Sequence, residues 1–354
     1  MIYVNARFLT QEMTGVQRFA EMISLQLNKK IDDITFLCPP GVIRESIAKE
    51  LNAKQIGWRN GHLWEQLELP LYLAKHGFPL LINLGSTGPV LYTNKIVTHH
   101  DITYLKYPES YSKSFLAFYK IIIPLILKTS KHLLTVSHFS KKEITKTYNY
   151  PDKKTSVIYN AAGENFKPKC ISNSETYLLA VSSHNYHKNH HGMINAFLEV
   201  LKKSPKSDCI KIKIIGQTAK SFSKQGSWME GDTENIEFLG RVSDEELVKL
   251  YQNAMAFIFP SFCEGFGIPP LEAQSCGCPV ISSNTTSMPE ILAESVLYFN
   301  PHDIADISRS INKIINDIDL RKELILKGYK NAKRFSWEDS TNNLIKVIEK
   351  FDKK

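Results

Sequence analysis

Short apolar runs alternate with helically spaced apolar residues along the whole chain. In the first half, a short apolar run at residues 2–4 is followed by an irregular stretch over residues 8–15. Residues 16–27 then carry Val16, Phe19, Ala20, Ile23 and Leu27 at helical spacing. The runs are partly β-branched and separated by helical patterns, which favours parallel strands joined by crossover helices. The first half therefore predicts an α/β unit, with strands over residues 2–4, 35–37, 80–84, 96–98 and 133–137.

A polar stretch separates this pattern from a second one. Residues 160–174 contain Gly163, Pro168 and two lysines, and we interpret them as a linker. Beyond it, helical patterns such as residues 244–251 alternate again with apolar runs at 177–181, 211–215, 236–239, 256–259 and 279–281. The predicted organisation is a first domain over 1–160, a linker over 161–174, a second domain over 175–336, and a helix over 337–354 that returns to the first domain.

Composition places the chain among ordinary globular proteins. It has 354 residues, of which 43% are apolar and 23% charged, and this excludes a largely disordered or collagen-like chain. The longest apolar run, residues 121–127, is broken by Pro124, whereas a membrane span needs about 20 apolar residues. The N-terminus lacks the pattern of a signal peptide, so we expect a cytoplasmic location and reduced cysteines.

The net charge of +8 points to an anionic partner. Nucleic acid, a phosphorylated substrate and an anionic membrane surface all fit, but no nucleic-acid-binding module accompanies the charge. Residues 104–132 interleave aromatic residues with lysines, which is compatible with a surface that meets the anionic inner membrane face. The alternative is an ordinary buried helix face, formed by Phe115, Phe118, Ile122, Leu125 and Ile126.

The most informative stretch runs from residue 257 to residue 274. A predicted strand leads into a loop with Gly265 and Gly267, and Pro269 and Pro270 then suit the first turn of a helix. A helix start with a glycine-containing loop favours a phosphate group. Two carboxylates, Glu264 and Glu272, stand at the ends of this loop and could each hold a polyol. The alternative is that Glu272 only complements the helix dipole and Glu264 lies in a solvated loop.

The segment Glu264-Gly-Phe-Gly-Ile-Pro-Pro-Leu-Glu272 closely resembles the Glu-x7-Glu signature of retaining family 4 (group 1) glycosyltransferases of the GT-B fold, of the bacterial surface-polysaccharide type. Further segments resemble that family's motifs in the family's order, over nearly the whole chain. They are Thr14-Gly-Val-Gln-Arg18, Val97-Thr-His-His-Asp-Ile102, Thr135-Val-Ser-His-Phe-Ser140, Val157-Ile-Tyr-Asn160, Lys188-Asn189, Phe238-Leu-Gly240 and Phe335-Ser-Trp337.

The resemblance implies an α/β protein of the GT-B fold, with two Rossmann-like domains facing a central cleft. It also implies transfer of a sugar from a nucleotide diphosphate-sugar with retained anomeric configuration. In that scheme Lys188 would neutralise the leaving diphosphate, Glu264 would face the donor sugar, and Glu272 would bind the ribose hydroxyls.

Further site residues follow from the same resemblance. The backbone of Phe266, Gly267 and Ile268 would contact sugar and phosphate, and the loop at Gly15 would approach the phosphates. His100 would lie beside the donor sugar, close to the reacting centre. The remaining assignments place Gly240 and Arg241 near the base, and His99 and Asp101 near the sugar or the acceptor.

The chain departs from the family's pattern in three places. Many members carry an arginine shortly before the lysine, but residues 182–188 contain none, and Arg241 or a histidine could replace it. Asn160 is followed by Ala161 instead of glycine, and Ser287-Met-Pro-Glu290 replaces the family's usual glycine before Pro-Glu. Six of the eleven histidines cluster at 99, 100, 184, 187, 190 and 191, yet their spacing matches no known zinc pattern, so we expect neither metal nor cofactor.

The function expected from these residues is retaining, metal-independent hexosyl transfer from a nucleotide diphosphate-sugar to a saccharide acceptor. The resemblance further suggests an acceptor linked to a lipid such as undecaprenyl diphosphate, in O-antigen or capsule-type polysaccharide and lipopolysaccharide synthesis, by a peripheral protein of the membrane's cytoplasmic face. The alternatives are a non-catalytic module that binds sugar nucleotides or glycans, and a GT-B epimerase acting on nucleotide sugars.

Overall fold

A computed structural model of the chain describes residues 1–168, 176–181, 185–203, 210–216 and 234–351. The residues divide into two compact units. The first comprises residues 1–102, 112–160 and the C-terminal segment that begins at Ser336. The second comprises residues 103–111 and 161–335. Of the predicted linker over 161–174, residues 161–168 are assigned to the second unit, and residues 169–174 lie outside the described residues.

The first unit is built on a sheet of parallel strands in the order β3-β2-β1-β4-β5-β6-β7. Buried, mostly aliphatic strands occupy the middle of this sheet, as expected where helices cover both faces. The strands are β1 (Ile2–Asn5), β2 (Ile34–Cys38), β3 (Lys54–Gln55), β4 (Leu80–Asn83), β5 (Lys95–Thr98), β6 (His132–Thr135) and β7 (Thr155–Val157).

The second unit carries a separate parallel sheet in the order β10-β9-β8-β11-β12-β13, among the described residues. Its strands are β8 (Tyr177–Val181), β9 (Lys211–Ile215), β10 (Ile236–Gly240), β11 (Ala256–Phe259), β12 (Val280–Ser283) and β13 (Leu297–Phe299). In both sheets the chain first builds strands to one side and then returns to build the other side. The reversal falls between β1 and β4 and between β8 and β11, and such switch points are where open α/β sheets bind ligands.

Helices connect the strands in both units. Those of the first half are α1 (Gly15–Lys30), α2 (Glu45–Glu50), α3 (Gly61–Leu63), α4 (Leu69–Lys75), α5 (Thr103–Lys106), α6 (Lys113–Thr129) and α7 (His138–Tyr148). A π-helical turn, Trp64–Glu68, joins α3 to α4 without a break. The second half contains α8 (His190–Lys203), α9 (Asp244–Asn253), α10 (Ile268–Ser275), α11 (Met288–Leu292), α12 (Ile304–Asn316), α13 (Ile318–Ala332) and α14 (Trp337–Glu349).

Each unit buries its own hydrophobic core. In the first, Trp64 is fully buried among residues such as Leu37, Leu73 and Leu81, and its indole donates a hydrogen bond to the Ile56 carbonyl at 2.9 Å. The second core joins α8 and α12 to the strands through residues such as Phe197. The C-terminal helix α14 packs against α1 in the first unit, with the Trp337 and Phe19 ring centroids 6.2 Å apart.

The predicted fold class, α/β with two Rossmann-like units, is confirmed, and every predicted strand is present. Three short strands, β3, β7 and β13, were not predicted. Of the five residues proposed as a buried face of α6, Ile126 is buried, Phe115, Phe118 and Ile122 are half-buried, and Leu125 is exposed. Among the described residues, no helix is long and apolar enough to cross a bilayer.

Candidate functional site

Lys188 ends a short 3-10 turn, Tyr186–Lys188, that lies beyond the carboxyl end of β8. The next residue, Asn189, closes the turn in the left-handed conformation with φ of +51°. The Asn189 side-chain amide donates hydrogen bonds to the carbonyls of Pro260 at 3.2 Å and Pro301 at 2.8 Å. These bonds tie the lysine turn to the loops that follow β11 and β13. Many family members carry an arginine in the stretch that corresponds to residues 182–188. Residues 182–184 of this stretch lie outside the described residues.

Lys188 and Glu264 form an ion pair. The Lys188 Nζ lies 2.7 Å from the Glu264 Oε1, and the two side chains are 23% and 12% exposed. Lys188 Nζ also lies 5.9 Å from the ring centroid of Phe259. Since β8 and β11 are neighbours at the switch point, the pair lies where a ligand is expected. A partly buried cation at this edge is well suited to the negative charge of a phosphate.

Gly267 allows the loop after β11 to turn into α10. It occupies the N-cap position with φ of +93°, a conformation that side-chain-bearing residues rarely adopt. A Cβ at this position would lie 2.6 Å from the Met288 Cε. Phe266 and Ile268 on either side are buried. Because α10 begins Ile268-Pro269-Pro270, its first turn has fewer amide hydrogens than an ordinary helix start, and Ile268 and Leu271 supply those that remain.

Residues 285–287 hold the Glu264 loop, a role that the sequence analysis missed. The Thr285 hydroxyl donates to the Phe262 carbonyl at 3.1 Å, and the Glu264 amide donates to the Thr286 hydroxyl at 3.1 Å. The Ser287 hydroxyl donates to the Glu264 carbonyl at 3.0 Å. The signal in the sequence was the serine that replaces a glycine at 287, which was noted there only as a departure from the family.

Glu272 lies on α10 and is 4% exposed. The Tyr251 hydroxyl, from α9, lies 3.5 Å from the Glu272 Oε2. Burial and the Glu272 carboxylate together raise the pKa of Tyr251 well above its usual value, so the phenol stays protonated and can donate to Glu272. Burying the charge of a carboxylate requires compensating hydrogen bonds, and the Tyr251 hydroxyl is one donor within reach of Glu272.

His99, His100 and Asp101 follow β5 in the first unit. The His100 Nε2 lies 3.2 Å from the Leu84 carbonyl, to which it donates, and the His100 ring packs edge-on against Phe19. Burial lowers the pKa of His100, and it lowers the pKa of His99 to about 4. Both imidazoles are therefore neutral near pH 7, and a neutral imidazole can still donate or accept a hydrogen bond.

The remaining predicted site residues lie on separate elements. Gly15 begins α1, whose N-cap hydroxyl, from Thr14, accepts a hydrogen bond from the Val16 amide at 3.3 Å. Gly240 ends β10 with φ of +68°, and the exposed Arg241 follows it. Within the second unit, Glu264 and Lys188 are in contact, and Phe266, Gly267, Ile268 and Glu272 share one loop and helix. His99, His100, Asp101 and Gly15 belong to the first unit.

A second buried polar cluster was missed, at the switch point of the first sheet. Glu65 is 1% exposed and accepts hydrogen bonds from Asn5 at 2.8 Å, Thr87 at 2.7 Å and Arg7 at 3.2 Å. Burial alone would raise its pKa, but the Arg7 charge and the hydrogen bonds from His62 and Thr87 lower it to about 2. Glu65 is thus a permanent anion that ties the π-helical turn to β1. Nothing in its local sequence distinguishes it from a surface glutamate.

The described residues contain no group of three histidine, cysteine, aspartate or glutamate side chains arranged to hold a metal ion. Within the same part of the chain, Cys38, Cys263, Cys276 and Cys278 are buried and are not joined in disulfides.

Known proteins match both units. Residues 13–162 match the family described as Glycosyltransferase Family 4, and residues 162–331 match the family described as Glycosyl transferases group 1. The O-antigen chain mannosyltransferase B of Escherichia coli is 32% identical, over 72% of this chain and 70% of that protein. The O-antigen chain mannosyltransferase RfbU of Salmonella typhimurium is 34% identical, over 85% of this chain and 81% of that protein.

Solved structures share the fold at low sequence identity. Sucrose-phosphate synthase from Thermosynechococcus elongatus superposes with a TM-score of 0.77 at 16% identity, covering 99% of this chain and 98% of that chain. Anabaena HepE, solved in complex with UDP, superposes with a TM-score of 0.75 at 14% identity, covering 99% of each chain.

Proposed function

Because the chain belongs to the family 4 (group 1) glycosyltransferases of the GT-B fold, we propose that it transfers a hexose from a nucleotide diphosphate-sugar to a saccharide acceptor with retained anomeric configuration. Mannose is the first sugar to test, since the two relatives above are named as O-antigen mannosyltransferases. The same relatives support a role in O-antigen or similar polysaccharide synthesis.

The ion pair between Lys188 and Glu264 carries this proposal. Breaking the bond between the sugar and the diphosphate builds negative charge on the leaving oxygen, and a preorganised cation lowers the energy of that transition state. Lys188 is such a cation, held 2.7 Å from a carboxylate at the switch point of the second sheet. On donor binding, the diphosphate would compete with Glu264 for the ammonium group, which would free Glu264 to accept hydroxyl hydrogen bonds from the donor sugar.

The other residues take the roles that the family resemblance suggests. Glu272 would hold the ribose hydroxyls, and the backbone from Phe266 to Ile268 would contact sugar and phosphate. Gly240 and Arg241 would lie near the base, with Arg241 as a candidate for the second phosphate contact. In the first unit, Gly15 would approach the phosphates, His100 would lie near the reacting centre, and His99 and Asp101 would lie near the sugar or the acceptor.

We propose that this chemistry needs no metal or other cofactor. The lysine and the start of α10 supply positive potential where the leaving group develops charge. The prolines at the start of α10 reduce the number of amide donors, so Lys188 would carry a larger share of this stabilisation. We also propose a lipid-linked acceptor, such as one attached to undecaprenyl diphosphate, and a peripheral location at the inner membrane face.

A thermal-shift screen tests the donor site. UDP, GDP, dTDP, CDP and ADP would each be added with and without EDTA, because a ligand that binds only the native state raises its stability. We expect one nucleotide to raise the melting temperature of the wild type, with or without EDTA, and to have little effect on Glu272→Gln. Glu237→Gln is the control, because Glu237 is an exposed carboxylate on β10 of the same unit.

Turnover assays then distinguish a transferase from an epimerase and from a non-catalytic module. Incubation with the matching nucleotide-mannose and a lipid-linked saccharide should give an elongated product whose new linkage keeps the donor's anomeric configuration, read by NMR. Consumption of the nucleotide sugar without any acceptor would identify an epimerase instead. Nucleotide binding without turnover of any sugar would support a non-catalytic module, and the absence of nucleotide binding would refute the donor-site assignment.

A further inference from the structure

A carboxylate and a cation also meet at the switch point of the first sheet. Asn5 and Asn83 are the last residues of β1 and β4, and the Asn5 side-chain amide donates to the Asn83 Oδ1 at 3.0 Å. Arg7 lies two residues after β1, and its Nε donates to the Glu65 Oε1 at 3.2 Å. Open α/β sheets bind ligands beyond the carboxyl ends of the strands at such a point. The first sheet therefore has an ion pair at its switch point, as the second sheet does.

The Glu65 carboxylate belongs to the π-helical turn between α3 and α4. Turns of this kind are rare and occur frequently at functional sites. The Glu65 Oε1 accepts hydrogen bonds from Asn5 and Arg7. Its Oε2 accepts from the Thr87 hydroxyl at 2.7 Å and lies 3.3 Å from the His62 Nδ1. A carboxylate that is buried and bonded through both oxygens is placed to hold other side chains in position.

The Arg7 guanidinium is fixed at two points. Its Nε donates to Glu65, and its Nη2 donates to the Thr87 hydroxyl at 2.9 Å. The Arg7 side chain is 12% exposed, so part of it reaches solvent. A guanidinium carries several N–H groups in one rigid plane, and within the described ranges the Arg7 side chain uses only some of them in these two bonds. A fork that is held in advance loses little conformational freedom when it binds further oxygen atoms.

Aromatic rings of α6 lie beside this ion pair. The Phe118 ring centroid is 4.5 Å from that of His62, and Tyr119 is half-buried on the same helix. Burial, together with the carboxylates of Glu65 and Asp101, raises the pKa of Tyr119 to about 12, so its hydroxyl stays protonated at neutral pH. Tyr119 is therefore close enough to both carboxylates to be affected by their charge. It connects the ion pair to Asp101, which the family resemblance places near the sugar or the acceptor.

We propose that Arg7 binds hydroxyl groups of the acceptor saccharide, and that Glu65 and Thr87 position its guanidinium. The inference rests on the proposed transfer to a saccharide acceptor. Because the buried Glu65 carboxylate balances the charge of Arg7, the pair suits the oxygen atoms of neutral hydroxyls better than a phosphate. Aromatic rings beside a few fixed polar groups are also typical of sites for small organic ligands.

Direct measurement of saccharide binding tests the proposal without relying on turnover. The probe is a mannose oligosaccharide that carries neither lipid nor phosphate, and its affinity is measured by titration calorimetry. Arg7→Lys keeps a positive charge beside Glu65 but loses the planar fork of N–H groups. We expect this variant to bind the oligosaccharide about five- to tenfold more weakly than the wild type, because it loses one or two hydrogen bonds to the ligand. A site that recognised only the charge of a phosphate would tolerate lysine, so unchanged binding in Arg7→Lys would overturn the proposal.

Two further variants separate positioning from a general loss of stability. Thr87→Val removes the hydroxyl that accepts from Arg7 and should weaken oligosaccharide binding about two- to fivefold, whereas Thr87→Ser should restore it. Arg44→Lys is the matched control, because Arg44 forms an ion pair with Glu21 in the same unit and its side chain is 20% exposed. Urea denaturation would compare the stability of all variants, and Arg44→Lys should keep the wild-type affinity for the oligosaccharide. Equal losses of affinity in Arg7→Lys and Arg44→Lys would assign the effect to stability and overturn the proposal.

The donor screen and acceptor kinetics distinguish failure of this proposal from failure of the proposed function. Arg7→Lys should keep the wild-type thermal shift with the matching nucleotide, and in turnover it should raise the acceptor KM while leaving the donor KM unchanged. Turnover by the wild type with the same acceptor KM in Arg7→Lys would refute the role of Arg7 and leave the transferase standing. Oligosaccharide binding that depends on Arg7, without any nucleotide binding, would refute the donor site and leave the saccharide site standing. A wild type that does not bind the oligosaccharide would overturn the inference.

Discussion

The hydroxyl of Ser110 lies 2.9 Å from Nδ1 of His187 and 3.2 Å from the His187 backbone amide. It can donate to the ring nitrogen and accept from the amide at the same time, so both of its hydrogen-bonding functions are used. His187 immediately precedes Lys188 in the same 3-10 turn. Ser110 belongs to residues 103–111, which are grouped with the second unit although the chain on both sides belongs to the first.

Removing the Ser110 hydroxyl should impair catalysis without unfolding the protein. In Ser110→Ala we expect kcat to fall roughly three- to tenfold, because losing a hydrogen bond of about 1 kcal/mol lets the lysine turn move. The donor KM should change less, since Ser110 would act through the position of Lys188. Ser110→Thr keeps a hydroxyl and should recover most of the rate. Steady-state kinetics would check this, with Ser114→Ala as the control.

Lys188→Ala should affect turnover far more than donor binding. If Lys188 stabilises charge that grows as the diphosphate leaves, its loss should lower kcat by about 100- to 1000-fold. The effect on nucleotide affinity should be much smaller, because the ground state has less charge to stabilise. Lys203→Ala is the control, since the Lys203 pair with Glu199 is solvent-exposed and lies on α8 of the same unit. A change confined to KM would contradict the assigned role.

Gly267→Ala should destabilise the second unit through both conformation and contact. The positive φ alone costs about 1–2 kcal/mol for a residue with a Cβ, and the contact with Met288 adds about 1 kcal/mol or more. Gly41→Ala separates the two effects, because Gly41 has φ of +85° and nothing within 4 Å of the added Cβ. Urea denaturation of both variants would measure the difference, and equal losses would show that the Met288 contact contributes nothing.

Much of the fold followed from local pattern, because buried parallel strands are apolar runs and their crossover helices show helical spacing. The strands that escaped prediction are only two or three residues long, so no period can be recognised in them. Both residues of β3 are exposed, and β7 and β13 each contain a single buried residue. The assignment of residues 103–111 to the second unit also has no local signal. Which core a short segment joins is decided by contacts between residues far apart in sequence, such as Ser110 and His187.

The sequence motifs identify some residues of the candidate site but not the contacts that hold them. Glu264, Glu272 and Lys188 belong to recognisable motifs, and the ion pair between Lys188 and Glu264 brings two of these motifs together. The hydrogen bonds from residues 285–287 and the buried anion at Glu65 depend on tertiary packing. The same holds for α6, where apolar spacing alone could not decide that Ile126 is buried while Leu125 and Ile121 are exposed.

His99 should make the stability of the first unit depend on pH. Burial lowers its pKa from 6.5 to about 4, so between these values the unfolded chain binds a proton that the folded protein does not. Acidification through this range therefore favours unfolding, by at most about 3 kcal/mol from this residue. In His99→Gln this contribution is absent, so the urea midpoint should fall less between about pH 7 and about pH 5 than in the wild type. His76→Gln, which removes an exposed imidazole, should retain the wild-type dependence, and parallel pH profiles for the wild type and His99→Gln would show that His99 is protonated in the folded protein.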